Sequence, residues 1–240
     1  MADIGTDERV YSQSGDRIEA GPPLRVRRYG PATRANHWVT AASLILLLLS
    51  GLALFHPSLF FLTGLFGGGQ TTRWIHPWIG VVLFLSFFAL FVRLVRLNLP
   101  NRDDVKWIAH SADVITQNEE NLPELGKYNA GQKFVFWAMS GLIVVLIVTG
   151  IMMWEQYFGG LVSIPVRRLA TIAHSAAAVL IILIFILHVY AAIWTRGTIS
   201  AMTRGTVTAG WAWRHHRKWL RELARRKKAG LEPESGGPAE

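Results

Sequence analysis

The chain has 240 residues, of which 51% are hydrophobic; 25 Lys and Arg against 16 Asp and Glu give a formal charge of +9. The apolar residues are gathered into long runs rather than spread over a globular pattern, which argues against a soluble domain and for an integral membrane protein. There is no cysteine, so disulfides, protein-held iron–sulfur clusters, covalent c-type haem and thiol nucleophiles are excluded from this chain.

Residues 1–24 are polar, contain Gly and Pro and show no apolar period, so they read as a disordered tail. Six arginines precede the first apolar run, too much charge for a cleaved signal peptide, and the first span is expected to act as an uncleaved anchor. Four segments qualify as spans by length and lack of interior charge: 39–55, 78–92, 134–154 and 169–194, the second extending at both ends. They make residues 25–200 a four-helix transmembrane domain. Between the first two spans, residues 56–73 read as a flexible external loop with Gly67, Gly68 and Gly69 and the apolar Phe60, Phe61, Leu62 and Phe66.

After the second span, residues 105–116 place Val105, Ile108, Ala109 and Ala112 on one helical face, which suits a helix lying on the membrane surface. Pro123 and Gly126 break the chain before 127–133 leads into the third span. There Asn129 and Gln132 stand as the N-cap and N3 of a capping box, and their amides can also hydrogen-bond the carbonyls of a quinone head. Residues 201–240 read as a basic cytoplasmic tail with a solvated or lipid-touching helix over 211–228.

Orientation follows from the basic residues. The N-terminal segment holds six, residues 93–133 six and the C-terminal tail ten, whereas the other two loops hold only Arg73, Arg167 and Arg168. Both termini and the middle loop are therefore expected in the cytoplasm. The positive charge reads as topology and attraction to anionic lipid, not as nucleic-acid binding.

Eight histidines occur. His174 and His188 are fourteen residues apart in one apolar run, so they leave the same helix face roughly 21 Å apart along the axis. His37 and His188 fall at the cytoplasmic ends of their spans, and His76 and His174 at the external ends. A lone histidine near an interface more often makes a headgroup or helix contact, but four that pair by depth point to ligation. Each pair can give two axial imidazoles to a haem iron, a set that suits electron transfer because no open position is left for substrate. Four residues beyond each stands a small one: Ala41, Gly80, Ala178 and Ala192. His56 could compete with His76, while His110, His215 and His216 are expected to face solvent or headgroups. Without haem, His174 and His188 would be helix-packing or proton-relay groups in a membrane anchor.

The segments Asn36-His37-Trp38, Ile75-His76-Pro77, GKYNAGQK over 126–133, Ile172-Ala173-His174 and Leu187-His188-Val189-Tyr190 together resemble the cytochrome b gamma subunits of membrane-bound respiratory formate dehydrogenases. The resemblance covers about residues 25–225. It implies an all-α, four-helix membrane bundle in the bacterial inner membrane, with both termini cytoplasmic and two b-type haems. His76 and His174 would hold the external haem, and His37 and His188 the cytoplasmic one. It further implies reduction of a quinone near Asn129, Gly131, Gln132 and His188. Electrons would come from an iron–sulfur beta subunit and a molybdenum or tungsten alpha subunit where formate is oxidised. A cytochrome b subunit of a nickel–iron hydrogenase or of another molybdoenzyme is the nearest alternative.

Overall fold

Among the described residues, four helices carry apolar runs long enough to cross a bilayer: α1 (Pro31–Phe55), α2 (Gly69–Leu94), α4 (Ala130–Met153) and α5 (Ile164–Trp194). The structure is a computed structural model that describes residues 11–110, 112–113, 116 and 122–231. It divides into two units: Thr33–Arg93 with Phe134–Thr195, and the described parts of Met1–Ala32, Leu94–Lys133 and Arg196–Glu240.

In the first unit, Leu44, Leu83, Ile143 and Ile181, one from each long helix, form a buried apolar layer with Leu47, Phe84, Phe87, Met139 and Phe185 against it. Three of these four residues lie seven positions after a histidine: Leu44 after His37, Leu83 after His76 and Ile181 after His174. Two helical turns keep a side chain on nearly the same face, so the stripe that closes the core also carries the imidazoles. Helix contacts elsewhere use small polar residues, with Ser43, Ser50, Ser86, Ser140 and Thr149 all buried. Apolar driving force between helices vanishes in lipid, and close approach plus hydrogen bonding replaces it. Asn36 donates through Nδ2 to the Ser86 carbonyl at 2.9 Å, Thr40 Oγ1 lies 3.0 Å from Ser86 Oγ, and Arg93 donates to Thr33 Oγ1 at 2.9 Å. These bonds join the start of α1 to the end of α2. Outward faces carry Leu85, Phe88, Val148, Ile172 and Leu183, each at least half exposed, as lipid contact requires.

The second helix reaches further back than its apolar run. Pro77 lacks an amide proton and so removes one bond, to the carbonyl four residues earlier, yet the helix begins at Gly69. The loop expected to be flexible is a 3₁₀ helix over Pro57–Phe66 that ends on Gly67 at φ 82°. Pro57 starts it, and Nδ1 of exposed His56 accepts from the Ser58 amide at 3.2 Å.

The second unit departs from an all-α fold. Strands β1 (Arg17–Glu19), β2 (Arg25–Arg27) and β3 (Thr206–Thr208) make an antiparallel sheet in the order β1-β2-β3, with Val26 opposite Ile18 and Val207. Around it lie α3 (Arg102–Ala109), α6 (Thr198–Thr203), α7 (Ala209–His215) and α8 (Arg217–Lys228). Val26, Ala212, Trp219 and Leu223 form its fully buried centre. Composition assigns residues 1–24 and 201–240 to tails. Residues 1–10 and 232–240 lie outside the described residues, but 11–24 and 201–231 supply this sheet and core. Three-residue strands and a helix with a single apolar stripe leave little periodic signal, and their stability comes from partners distant in sequence.

The most buried of those partners is an ion pair. Lys127 Nζ lies 2.6 Å from Asp16 Oδ1 with both side chains essentially inaccessible, and Asp16 Oδ2 accepts from the Trp219 indole at 3.0 Å and from the Gln13 amide at 3.0 Å. The Arg28 guanidinium lies 5.1–5.7 Å from the ring centres of Tyr29, Tyr128, Trp211 and Trp219 and donates to the Lys127 carbonyl. His216, expected at the surface, is buried, and its Nδ1 donates to the Gly126 carbonyl at 2.7 Å. Burial, reinforced by Arg28, holds the His216 pKa well below the ordinary 6.5. Burial also lowers Lys127 to about 8, opposed by Asp16.

Both shifts make the folded unit bind protons less readily than the unfolded chain, so stability rises with pH, for His216 in the window below about 6.5. Acidification from pH 7 should therefore destabilise this unit by up to ~1.4 kcal/mol per pH unit once below that value. His216→Gln, which keeps a donor for Gly126 and does not titrate, should flatten the acid side of the profile in thermal unfolding followed by tryptophan fluorescence; an unchanged slope would locate the acid sensitivity elsewhere. Lys127→Met should cost about 3–5 kcal/mol in the same assay, because it strands a buried carboxylate.

Candidate haem-binding sites

The four histidines singled out by depth come together in two pairs. The ring centres of His37 and His188 are 6.4 Å apart with planes at 48°, and those of His76 and His174 are 6.4 Å apart with planes at 64°. A metal–imidazole bond is ~2.0 Å and a ring nitrogen lies ~1.1 Å from its centre, so two imidazoles sharing one metal have centres ~6.2 Å apart. Both pairs are spaced for an atom between them, and all four rings are half-buried, leaving a side open to a planar ligand. Among the described residues no group of three His, Asp or Glu side chains is placed to hold a bare metal ion. The donor set thus fits a group that brings its own equatorial ligands, as haem does.

The His76/His174 pair is supported by residues that depth arguments do not find. Ser50 Oγ lies 2.7 Å from His76 Nδ1, and Thr149 Oγ1 lies 2.9 Å from His174 Nδ1. Each hydroxyl has one proton and gives it to its own helix, Ser50 to the Leu46 carbonyl at 2.8 Å and Thr149 to the Val145 carbonyl at 2.6 Å. With its proton on that carbonyl, each hydroxyl accepts from Nδ1–H, the tautomer that leaves the Nε2 lone pair for a metal. The next residue is glycine in both cases. A Cβ at Gly51 would meet His76 Cε1 at 3.4 Å and one at Gly150 would meet His174 Cε1 at 3.5 Å. A Ser-Gly in the first span and a Thr-Gly in the third, 26 and 25 positions before the histidines they meet, are the sequence signal. Nδ1 of His37, by contrast, is buried without an acceptor among the described residues.

The remaining candidate residues lie in the other unit, apart from His188. Asn129 Oδ1 accepts from the Gln132 amide at 2.8 Å and Gln132 Oε1 from the Asn129 amide at 3.1 Å, so the capping box is formed. Because the cap takes both side-chain oxygens, the groups left for a ligand are the two NH₂ donors, the polarity a quinone carbonyl requires. Gly131 has a packing role as well, since a Cβ there would stand 3.2 Å from Trp107 Cη2. The rest of GKYNAGQK is equally engaged. Gly126 lies so close to the Tyr11 ring that a Cβ would meet Cδ1 at 2.6 Å, Lys127 pairs with Asp16, Tyr128 hydroxyl meets Tyr29 hydroxyl at 3.0 Å, and Lys133 pairs with Asp104 at 2.8 Å.

Trp78, Trp154, Tyr157 and Phe158 cluster edge to face, with centres 5.0–6.1 Å apart, at the end of the bundle that holds His76 and His174. Such amphipathic rings belong at a membrane–water boundary.

Comparison with known proteins agrees with this architecture. The sequence matches the prokaryotic cytochrome b561 family over residues 28–205. The formate dehydrogenase cytochrome b556(fdo) subunit of Escherichia coli K12 is 45% identical over 196 residues, 82% of this chain and 92% of the relative. The nitrate-inducible cytochrome b556(Fdn) subunit of the same strain is 38% identical over 203 residues, 85% and 93% of the two chains. The formate dehydrogenase cytochrome b556 subunit of Haemophilus influenzae is 37% identical over 206 residues, 86% and 87%. With four apolar helices carrying paired histidines and relatives matched nearly end to end, this chain is a multi-pass bacterial inner-membrane protein of the prokaryotic cytochrome b561 family, among its formate dehydrogenase cytochrome b556 subunits.

Proposed function

We propose that this chain is the membrane cytochrome b subunit of a formate dehydrogenase and carries electrons through two b-type haems to a quinone. The observation that carries the reading is the repeated 6.4 Å spacing of two imidazole pairs within one helical bundle. His76 and His174 would hold one haem, and His37 and His188 the other. A bound b-type haem would supply one-electron chemistry there.

The chain's own residues do the rest. Leu44, Leu83, Ile143 and Ile181 close the space midway along the bundle and keep water out of it. Basic residues concentrated in 1–37, 93–133 and 196–228 put both termini and the 94–129 connection in the cytoplasm, so His37 and His188 lie on that side and His76 and His174 on the other. Charge passed between the pairs moves across the bilayer, and one elementary charge across 100 mV is worth ~2.3 kcal/mol. On the cytoplasmic side, the Asn129 and Gln132 NH₂ groups, left over by the cap, would donate to quinone carbonyls. The names of the relatives, cytochrome b556 subunits of formate dehydrogenases, support further subunits of such a complex as partners; in this reading those partners are a molybdenum or tungsten subunit that oxidises formate and an iron–sulfur subunit that relays its electrons.

A reduced-minus-oxidised spectrum of the purified complex, with haem per chain quantified, should give two b-type haems, falling to one in His188→Ala; a wild-type spectrum without haem absorption would remove the cytochrome reading. Asn129→Asp keeps the oxygen that caps α4 but loses the NH₂ donor. It should leave folding and haem content intact while raising the KM for quinone about tenfold, the loss of roughly one hydrogen bond. An unchanged KM would leave Asn129 with the cap alone.

A further inference from the structure

His76 and His174 each have a hydroxyl at Nδ1 that also bonds a carbonyl of its own helix, whereas in the other pair His37 Nδ1 is buried with no acceptor among the described residues. With the hydroxyl protons on those carbonyls, His76 and His174 donate to the hydroxyls. The two seats are built alike. Each is a hydroxyl residue followed by glycine, late in a long helix, facing a histidine early in the helix that follows. In both, the hydroxyl bonds the carbonyl four residues back and the glycine faces Cε1, where a Cβ would stand in contact at 3.4–3.5 Å. Helix continuity does not require either feature. A buried serine or threonine can bond its own backbone without meeting a ring, as Ser140 does with the Phe136 carbonyl at 2.7 Å.

An acceptor on Nδ1–H pushes electron density onto Nε2 and fixes the plane of the ring. A more basic axial nitrogen stabilises the ferric state more than the ferrous state, so it lowers the reduction potential of the iron it holds. We propose that Ser50-Gly51 and Thr149-Gly150 are matched imidazole seats, positioning His76 and His174 and setting the haem they hold at a lower potential than the His37/His188 haem. An electron passing from the first to the second oxidises the lower-potential iron and reduces the higher-potential one. The two seats thereby give the bundle a built-in direction toward the His37/His188 end. Ser50 and Thr149 are positioning residues acting through their histidines, and the inference rests on the two-haem reading above.

The test is an anaerobic redox titration of haem absorbance in the purified complex for wild type, Ser50→Ala, Thr149→Val and the conservative Ser50→Thr and Thr149→Ser. Wild type should titrate as two one-electron components. The lower one should move upward in S50A and in T149V, and further in the double variant, while the upper one stays and both hydroxyl-retaining variants match wild type. Thr149→Val is isosteric and acts on the other axial ligand, so it carries the test if S50A sheds haem. Two haems retained with neither component displaced would overturn the proposal while leaving the cytochrome intact. Displacement of the upper component alone would also overturn it, because the seats would then belong to the wrong member of the redox order. A wild-type complex without haem would sink the two-haem reading itself.

Discussion

The membrane unit depends on holding two pairs of imidazoles at a metal-bridging distance inside helices that are otherwise mainly apolar. Apolar helices in lipid find no hydrophobic reward for any one rotation, so the faces they turn to each other are set by small residues and hydrogen bonds. Here those are the Asn36, Thr40 and Ser86 cluster between α1 and α2, and the Ser50 and Thr149 contacts with His76 and His174. The Leu44, Leu83, Ile143 and Ile181 layer lies on the same stripes, so core closure and ring placement are one packing problem.

The other unit solves a different problem, that of ordering chain segments far apart in sequence around one strongly polar core. Burying Lys127 against Asp16 costs desolvation that the pair alone does not recover, and its partners Trp219 and Gln13 satisfy the remaining lone pairs. Arg28 among four aromatic rings adds cation–π attraction without any surface exposure. The partners of this core come from residues 11–29, 125–128 and 205–223 together, and GKYNAGQK is dense in demanding residue types because its Lys127 and Tyr128 side chains and its Gly126 carbonyl are all engaged there. The motif is at once the structural knot of this unit and the lead into α4, so a ligand contact by Asn129 or Gln132 would be made on a preorganised helix start.

Four spans, their approximate bounds and the pairing of histidines by depth were legible in the sequence, because hydropathy and helical periodicity are local properties that a bilayer enforces. The Asn129 and Gln132 capping box was legible for the same reason, being an exchange between residues three apart. The seats behind His76 and His174 were not, since Ser-Gly and Thr-Gly are unremarkable until a helix hairpin brings them against a ring 25 or 26 positions away.

The same division holds for the termini. Residues 11–24 and 201–231 look like tails because each is too short and too polar to bury a face by itself. Strands of three residues and the Trp219–Leu223 stripe become stable only against one another. His216 passed for a surface residue within a basic run and is buried because Gly126, distant in sequence, presents it a carbonyl. The sequence alone determined what repeats along the chain, namely spans, charge bias and the heights of the histidines. Tertiary structure decided which hydroxyl meets which ring and which charges share a core, because those bonds join residues that no local pattern connects.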